Sequence, residues 1–141
     1  MRVLVVDDET FLAELVKLAL EADGHVCYAA DSIQDASEVV RSVRLDLVAL
    51  DLVSGGEDPI GWIENVVLEM AQLHGRIVVL TARELVDAEL LRLAACGVRV
   101  MPKPFTLHGL RRLVKEIGSA DGAGGVPLPA PPPERPLAGD S

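Results

Sequence analysis

Val3-Leu4-Val5-Val6-Asp7-Asp8 and, further along, Leu47-Val48-Ala49-Leu50-Asp51 decide the fold. Short apolar runs that stop abruptly at carboxylates read as fully buried strands with polar groups at their carboxyl ends. Open parallel sheets bind their ligands outside those ends. Two such strands side by side would bring Asp7, Asp8 and Asp51 to one point, and three carboxylates together call for a cation.

Working outward, short apolar runs alternate with stretches of helical period, which predicts an α/β, doubly wound sheet. The first helix is expected over Thr10–Ala22, with an apolar stripe of Phe11, Leu12, Leu15, Val16, Ala19 and Leu20, and a stop at Gly24. Val26–Ala30 is the second strand, and Ser32 with Asp35 three residues on marks a helix start running to about Val43. Leu47–Leu52 is the third strand, followed by the loop Ser54–Pro59 and a helix over Ile60–Leu73. Ile77–Leu80 closed by Thr81, a helix over Glu84–Ala95, the strand Val98–Met101 and a last helix over Leu107–Ile117 complete the pattern.

Half of the residues are apolar but only 3% are aromatic, so Val, Leu, Ile and Ala must build the core. A formal charge of −9 argues against direct nucleic-acid contact, which normally needs a basic patch. Cys27 and Cys96 fit no metal spacing and are expected to be reduced thiols. Neither a signal peptide nor an apolar run of the ~20 residues needed to span a bilayer is present, so a cytoplasmic protein with no membrane part is expected. From Gly118 the composition shifts, with six of the nine prolines in 118–141. That segment is expected to be a disordered tail after a single domain over 1–117. Its stretches Pro129-Ala130-Pro131-Pro132 and Pro133-Glu134-Arg135-Pro136 fit a polyproline recognition pattern, although such tails are more often plain solvated ends.

Asp7-Asp8-Glu9, Asp51, Thr81-Ala82 and Lys103-Pro104-Phe105 thus all fall at strand ends. Alone each has a plain reading: Asp8 or Thr81 as a helix cap, Asp51 in a turn, Lys103 as a solvated lysine and Phe105 in the core. In this order they are specific, and over residues 1 to 117 the chain resembles the receiver domain of bacterial two-component response regulators.

The resemblance implies a five-stranded parallel sheet of order 2-1-3-4-5 with helices on both faces, of the flavodoxin-like type. It implies that Asp51 accepts a phosphoryl group from a histidine kinase or phosphotransfer protein, for a downstream protein target that the residues do not identify. Asp7 and Asp8, with Asp51 and the backbone carbonyl of Val53, would hold Mg²⁺. Lys103 would pair with the acceptor carboxylate, and Thr81 would hydrogen-bond the new phosphoryl oxygen beside small Ala82. Val53 and Arg83, two residues past the acceptor and the hydroxyl residue, would tune the lifetime of the phosphoryl group and make it fairly long. The domain would act as a monomer or a phosphorylation-linked dimer, and as a signalling module rather than an enzyme. Two carboxylates about 4 Å apart repel by on the order of 4 kcal/mol at an effective dielectric of about 20, which supports a dication in such a site.

Departures from the family pattern bear on the switch. Where the family commonly has Met-Pro and then Asp-Gly after the acceptor, this chain has Ser54, Gly55, Asp58 and Pro59, with Gly61 two residues beyond the usual glycine. Val100 stands where many members carry an aromatic ring, so a ring flip is not expected as the readout. Lys103-Pro104 is a candidate cis bond. A degenerate receiver that binds a partner without phosphorylation is the alternative, and the full set Asp7, Asp8, Asp51, Thr81 and Lys103 argues against it. A phosphatase or nucleotide-binding enzyme on the same sheet lacks its motifs here: there is no GxGxxG, no GxxxxGK and no second acid two residues after Asp51.

Overall fold

The computed structural model describes residues 1–52 and 58–123, with side chains up to residue 119. Among these, β1 (Arg2–Val6), β2 (Val26–Ala30), β3 (Leu47–Asp51), β4 (Ile77–Thr81) and β5 (Arg99–Pro102) form one sheet of order β2-β1-β3-β4-β5. Every neighbouring pair is parallel, as expected. Burial explains the order. All five residues of β3 and of β4 are buried, as are Val3 to Val6 of β1, whereas β2 and β5 keep exposed positions. Continuous apolar runs must lie in the middle of the sheet with both faces covered, and only the mixed sequences can form its edges. Pro102, which cannot donate to a ladder, is tolerated because β5 is an edge strand.

The unit Met1–Pro104 holds the sheet and the helices α1 (Thr10–Ala22), α2 (Ile33–Ser42), α3 (Pro59–Glu69) and α4 (Asp87–Ala95). Ser32 caps α2, its hydroxyl accepting from the Asp35 N–H at 3.1 Å. Asp58 caps α3 by accepting from the Gly61 N–H at 3.1 Å, and Pro59 occupies the first turn, where a missing N–H is harmless. A Cβ at position 61 would run into the Asp58 carboxylate, so the displaced glycine serves this cap. Gly24, with φ of +93°, ends α1.

Three expectations for the helices of this unit are corrected. The buried face of α1 is Ala13, Val16 and Leu20, while Phe11 is 77% and Leu18 58% exposed and Leu15 also faces out. An apolar-rich helix offers two overlapping stripes, and spacing alone does not choose between them. The third helix ends at Glu69, and a separate 3₁₀ turn over Ala71–Leu73 brings Leu73 into full burial. The fourth helix begins at Asp87 rather than Glu84, because Glu89 accepts from the Val86 N–H at 3.1 Å and sets the first turn there.

The unit from Phe105 onward carries α5 (Leu107–Ala123), capped by Thr106, whose hydroxyl accepts from the Gly109 N–H at 2.9 Å. Its Leu110, Val114 and Ile117 share one face and are buried, and Phe105 is half-buried. The helix continues past Ile117 to Ala123: Gly118 costs only about 1 kcal/mol in a helix, and the first proline of the tail is Pro127. Most of the proline-rich tail lies outside the described residues.

Candidate functional site

Among the described residues, the buried polar or charged ones are Asp7, Asp51 and Thr81, each at most 4% exposed. All three sit at the carboxyl ends of adjacent central strands: Asp7 just after β1, Asp51 closing β3 and Thr81 closing β4. The point lies where the chain order reverses, with β1 between β2 and β3.

Each side chain is fixed by its backbone. The Asp7 N–H donates to the Ala30 carbonyl at 3.0 Å, tying the end of β1 to β2, and the Asp7 carboxylate accepts from the Glu9 N–H at 2.8 Å. Register places Asp51 opposite Leu80 and Thr81 opposite Pro102. The Lys103 N–H then donates to the Thr81 carbonyl at 2.7 Å, so the lysine leaves β5 at the level of the carboxylates. The Lys103-Pro104 bond is cis, as the sequence suggested.

Lys103 Nζ stands 3.3 Å from Asp51 Oδ2 and 3.9 Å from Asp7 Oδ2. Carboxylate oxygens of Asp7, Asp8 and Asp51 all lie within 4.8 Å of one another, with Asp8 on the exposed side. Burial, reinforced by the nearby Asp51, lifts the Asp7 carboxyl from 3.8 to about 6, although the Glu9 N–H and Lys103 pull the other way. Three acids facing one ammonium remain short of positive charge, and hard carboxylate oxygens suit a hard dication such as Mg²⁺. The residues present therefore fit a divalent metal.

The Thr81 hydroxyl is turned onto the next stretch of chain, accepting from the Arg83 N–H at 3.1 Å and donating to the Arg83 carbonyl at 3.2 Å. Ala82 is exposed beside it. The Arg83 guanidinium forks onto Glu89 with N···O distances of 3.0 and 2.9 Å. Sequence reading passed over Glu89, although an acid three residues after Val86 is a helix-start signal. Val100 is 37% exposed. Val53, expected to lend a carbonyl to the metal, lies outside the described residues, as do Ser54 and Gly55.

A family model described as the response regulator receiver domain matches residues 3–115. The transcriptional regulatory protein PmrA of Pectobacterium parmentieri is 29% identical over 121 residues, which cover 83% of this chain and 52% of that protein. The response regulator MprA of Mycolicibacterium vanbaalenii is 31% identical over 128 residues, covering 88% and 54%. This chain spans about half the length of these curated relatives. Among solved structures, a response regulator from Thermotoga maritima superposes with a TM-score of 0.72 at 30% identity, covering 84% of this chain and 97% of that one.

Proposed function

The chain belongs to the response regulator receiver domain family, and from that premise we propose that it is a phosphorylation-dependent switch with Asp51 as its phosphoacceptor. The observation that carries the reading is the convergence of Asp7, Asp8 and Asp51 with the Lys103 ammonium 3.3 Å from the acceptor carboxylate.

An Asp51 carboxylate oxygen attacks the phosphorus of a phosphohistidine on a histidine kinase or phosphotransfer protein. The O–P bond forms as the N–P bond breaks, and the imidazole nitrogen leaves with the electron pair. Such a transfer asks mainly for in-line positioning and for positive charge near the equatorial oxygens. Lys103 supplies one such charge and orients Asp51 before attack. Asp7 and Asp8, with Asp51, would hold Mg²⁺, which when bound neutralises the crowded acids and draws in phosphoryl oxygens. The buried setting of Asp7 and Asp51 limits water near the new acyl phosphate. In this reading Thr81 turns its hydroxyl from the Arg83 main chain to a phosphoryl oxygen.

Incubation with Mg²⁺ and a small phosphodonor, followed by intact mass, tests the reading. One added phosphoryl group, lost with chelator and in Asp51→Ala, supports it. No added mass would make the domain a binding module that works without phosphorylation.

A further inference from the structure

Arg83 takes part in two sets of hydrogen bonds at once. Its main chain holds the Thr81 hydroxyl from both sides, through the N–H at 3.1 Å and the carbonyl at 3.2 Å. Its side chain forms a two-pronged pair with Glu89 in the first turn of α4. Glu89 Oε1 also accepts from the Val86 N–H, so the connection between β4 and α4 is tied at both ends by one carboxylate. Arg83 and the Val86 N–H together hold the Glu89 carboxyl down at about 2, so it carries its charge throughout the neutral range.

We infer that Glu89 is a positioning residue of the switch: acting through Arg83, it holds the Thr81 hydroxyl away from Asp51 and opposes the phosphorylated state. The inference rests on the phosphoacceptor reading of Asp51. For Thr81 to reach an oxygen on Asp51, its hydroxyl must leave both main-chain partners on Arg83. Both of those partners belong to the Arg83 main chain, and the Arg83–Glu89 fork together with the Glu89 bond to the Val86 N–H holds that main chain where it faces the hydroxyl. A dianionic phosphoryl group is also a rival acceptor for the same guanidinium, and the edge that forks onto Glu89 through Nη1 and Nη2 is not available to it while that pair holds. A ligand that favours one conformation binds more weakly by the fraction of molecules held in the other. Glu89 therefore lowers the apparent affinity of the site for a phosphoryl group.

The test is calorimetric titration of the full chain, in Mg²⁺, with beryllium fluoride as the phosphoryl mimic. Wild type, Glu89→Gln, Arg83→Gln and the double variant are compared. Glu89→Gln is expected to bind about two- to fivefold more tightly, the range open to an exposed ion pair. In the Arg83→Gln background the same change is expected to have no effect, because the carboxylate acts only through the guanidinium. A purely structural part for Glu89, as a cap of α4, would alter affinity equally in both backgrounds and overturn the inference. Unchanged or weaker binding by Glu89→Gln would overturn it as well. Failure of wild type to bind while Asp51 is intact would instead remove the phosphoacceptor reading, and the inference with it.

Discussion

Lys103 Nζ lies 3.3 Å from Asp51 Oδ2, although the two residues belong to β3 and to the chain just beyond β5, with β4 between them. The ammonium reaches across because the Lys103 N–H is anchored on the Thr81 carbonyl and because its side chain is only 16% exposed. The pair places an ammonium against the acceptor carboxylate.

Lys103→Ala should leave the acids crowded and remove the charge that meets the transferring group. Phosphoryl uptake from a small donor is expected to fall by about a hundredfold, the low end for losing one preorganised donor at a reacting centre. Rates from intact mass against time check this. Uptake within twofold of wild type would show that Lys103 does not serve the transfer.

Asp7→Asn keeps the acceptor oxygen that takes the Glu9 N–H while removing one buried negative charge. Without metal the variant should be more stable than wild type in urea. Added Mg²⁺ should then stabilise it much less than it stabilises wild type, since a ligand that binds only the folded state shifts stability by mass action. A variant less stable without metal, and equally responsive to Mg²⁺, contradicts the assignment.

The Asp7 carboxyl, lifted to about 6, gives a pH signature. The folded chain holds this proton more firmly than the unfolded chain, whose carboxyl keeps its ordinary value near 4. Stability from this group is complete below about 4 and is lost as pH rises through about 6. In chelator, the stability difference between wild type and Asp7→Asn should therefore widen against wild type over that window. Mg²⁺ competes with the proton, so its affinity for wild type should rise across the same range. A pH-independent difference between the two chains would contradict the burial of an ionisable Asp7.

Ser32→Ala removes the cap of α2, an element that contributes none of the three acids, and should cost about 1 kcal/mol of stability with phosphoryl uptake unchanged. Urea midpoints and uptake rates on the same samples separate the two effects. A loss of uptake in the folded variant would mean that α2 takes part in the site.

How much of this could be read from the chain follows from the forces involved. The central strands were legible because β1, β3 and β4 are unbroken apolar runs, and the site was legible because each run stops at a polar residue that the sheet brings together. The inward face of α1 was not, since Phe11, Leu15 and Leu18 compete with Ala13, Val16 and Leu20 on equal hydrophobic terms and only the sheet decides between them. The start of α4 and the role of Glu89 depend on a side chain folding back on the main chain, which periodicity does not register. Arg83 was marked as tuning the lifetime of the phosphoryl group, but its present partner is visible only in the folded chain.

The most direct test of the central claim is to locate the phosphoryl group itself. After exposure to Mg²⁺ and a small phosphodonor, the acyl phosphate is reduced with borohydride and the chain is mapped by peptide mass. Modification confined to Asp51, and sharply reduced when Lys103 or the acid pair Asp7 and Asp8 is replaced, is the expected result. Labelling at another residue, or at Asp51 with no need of those neighbours, would contradict the account.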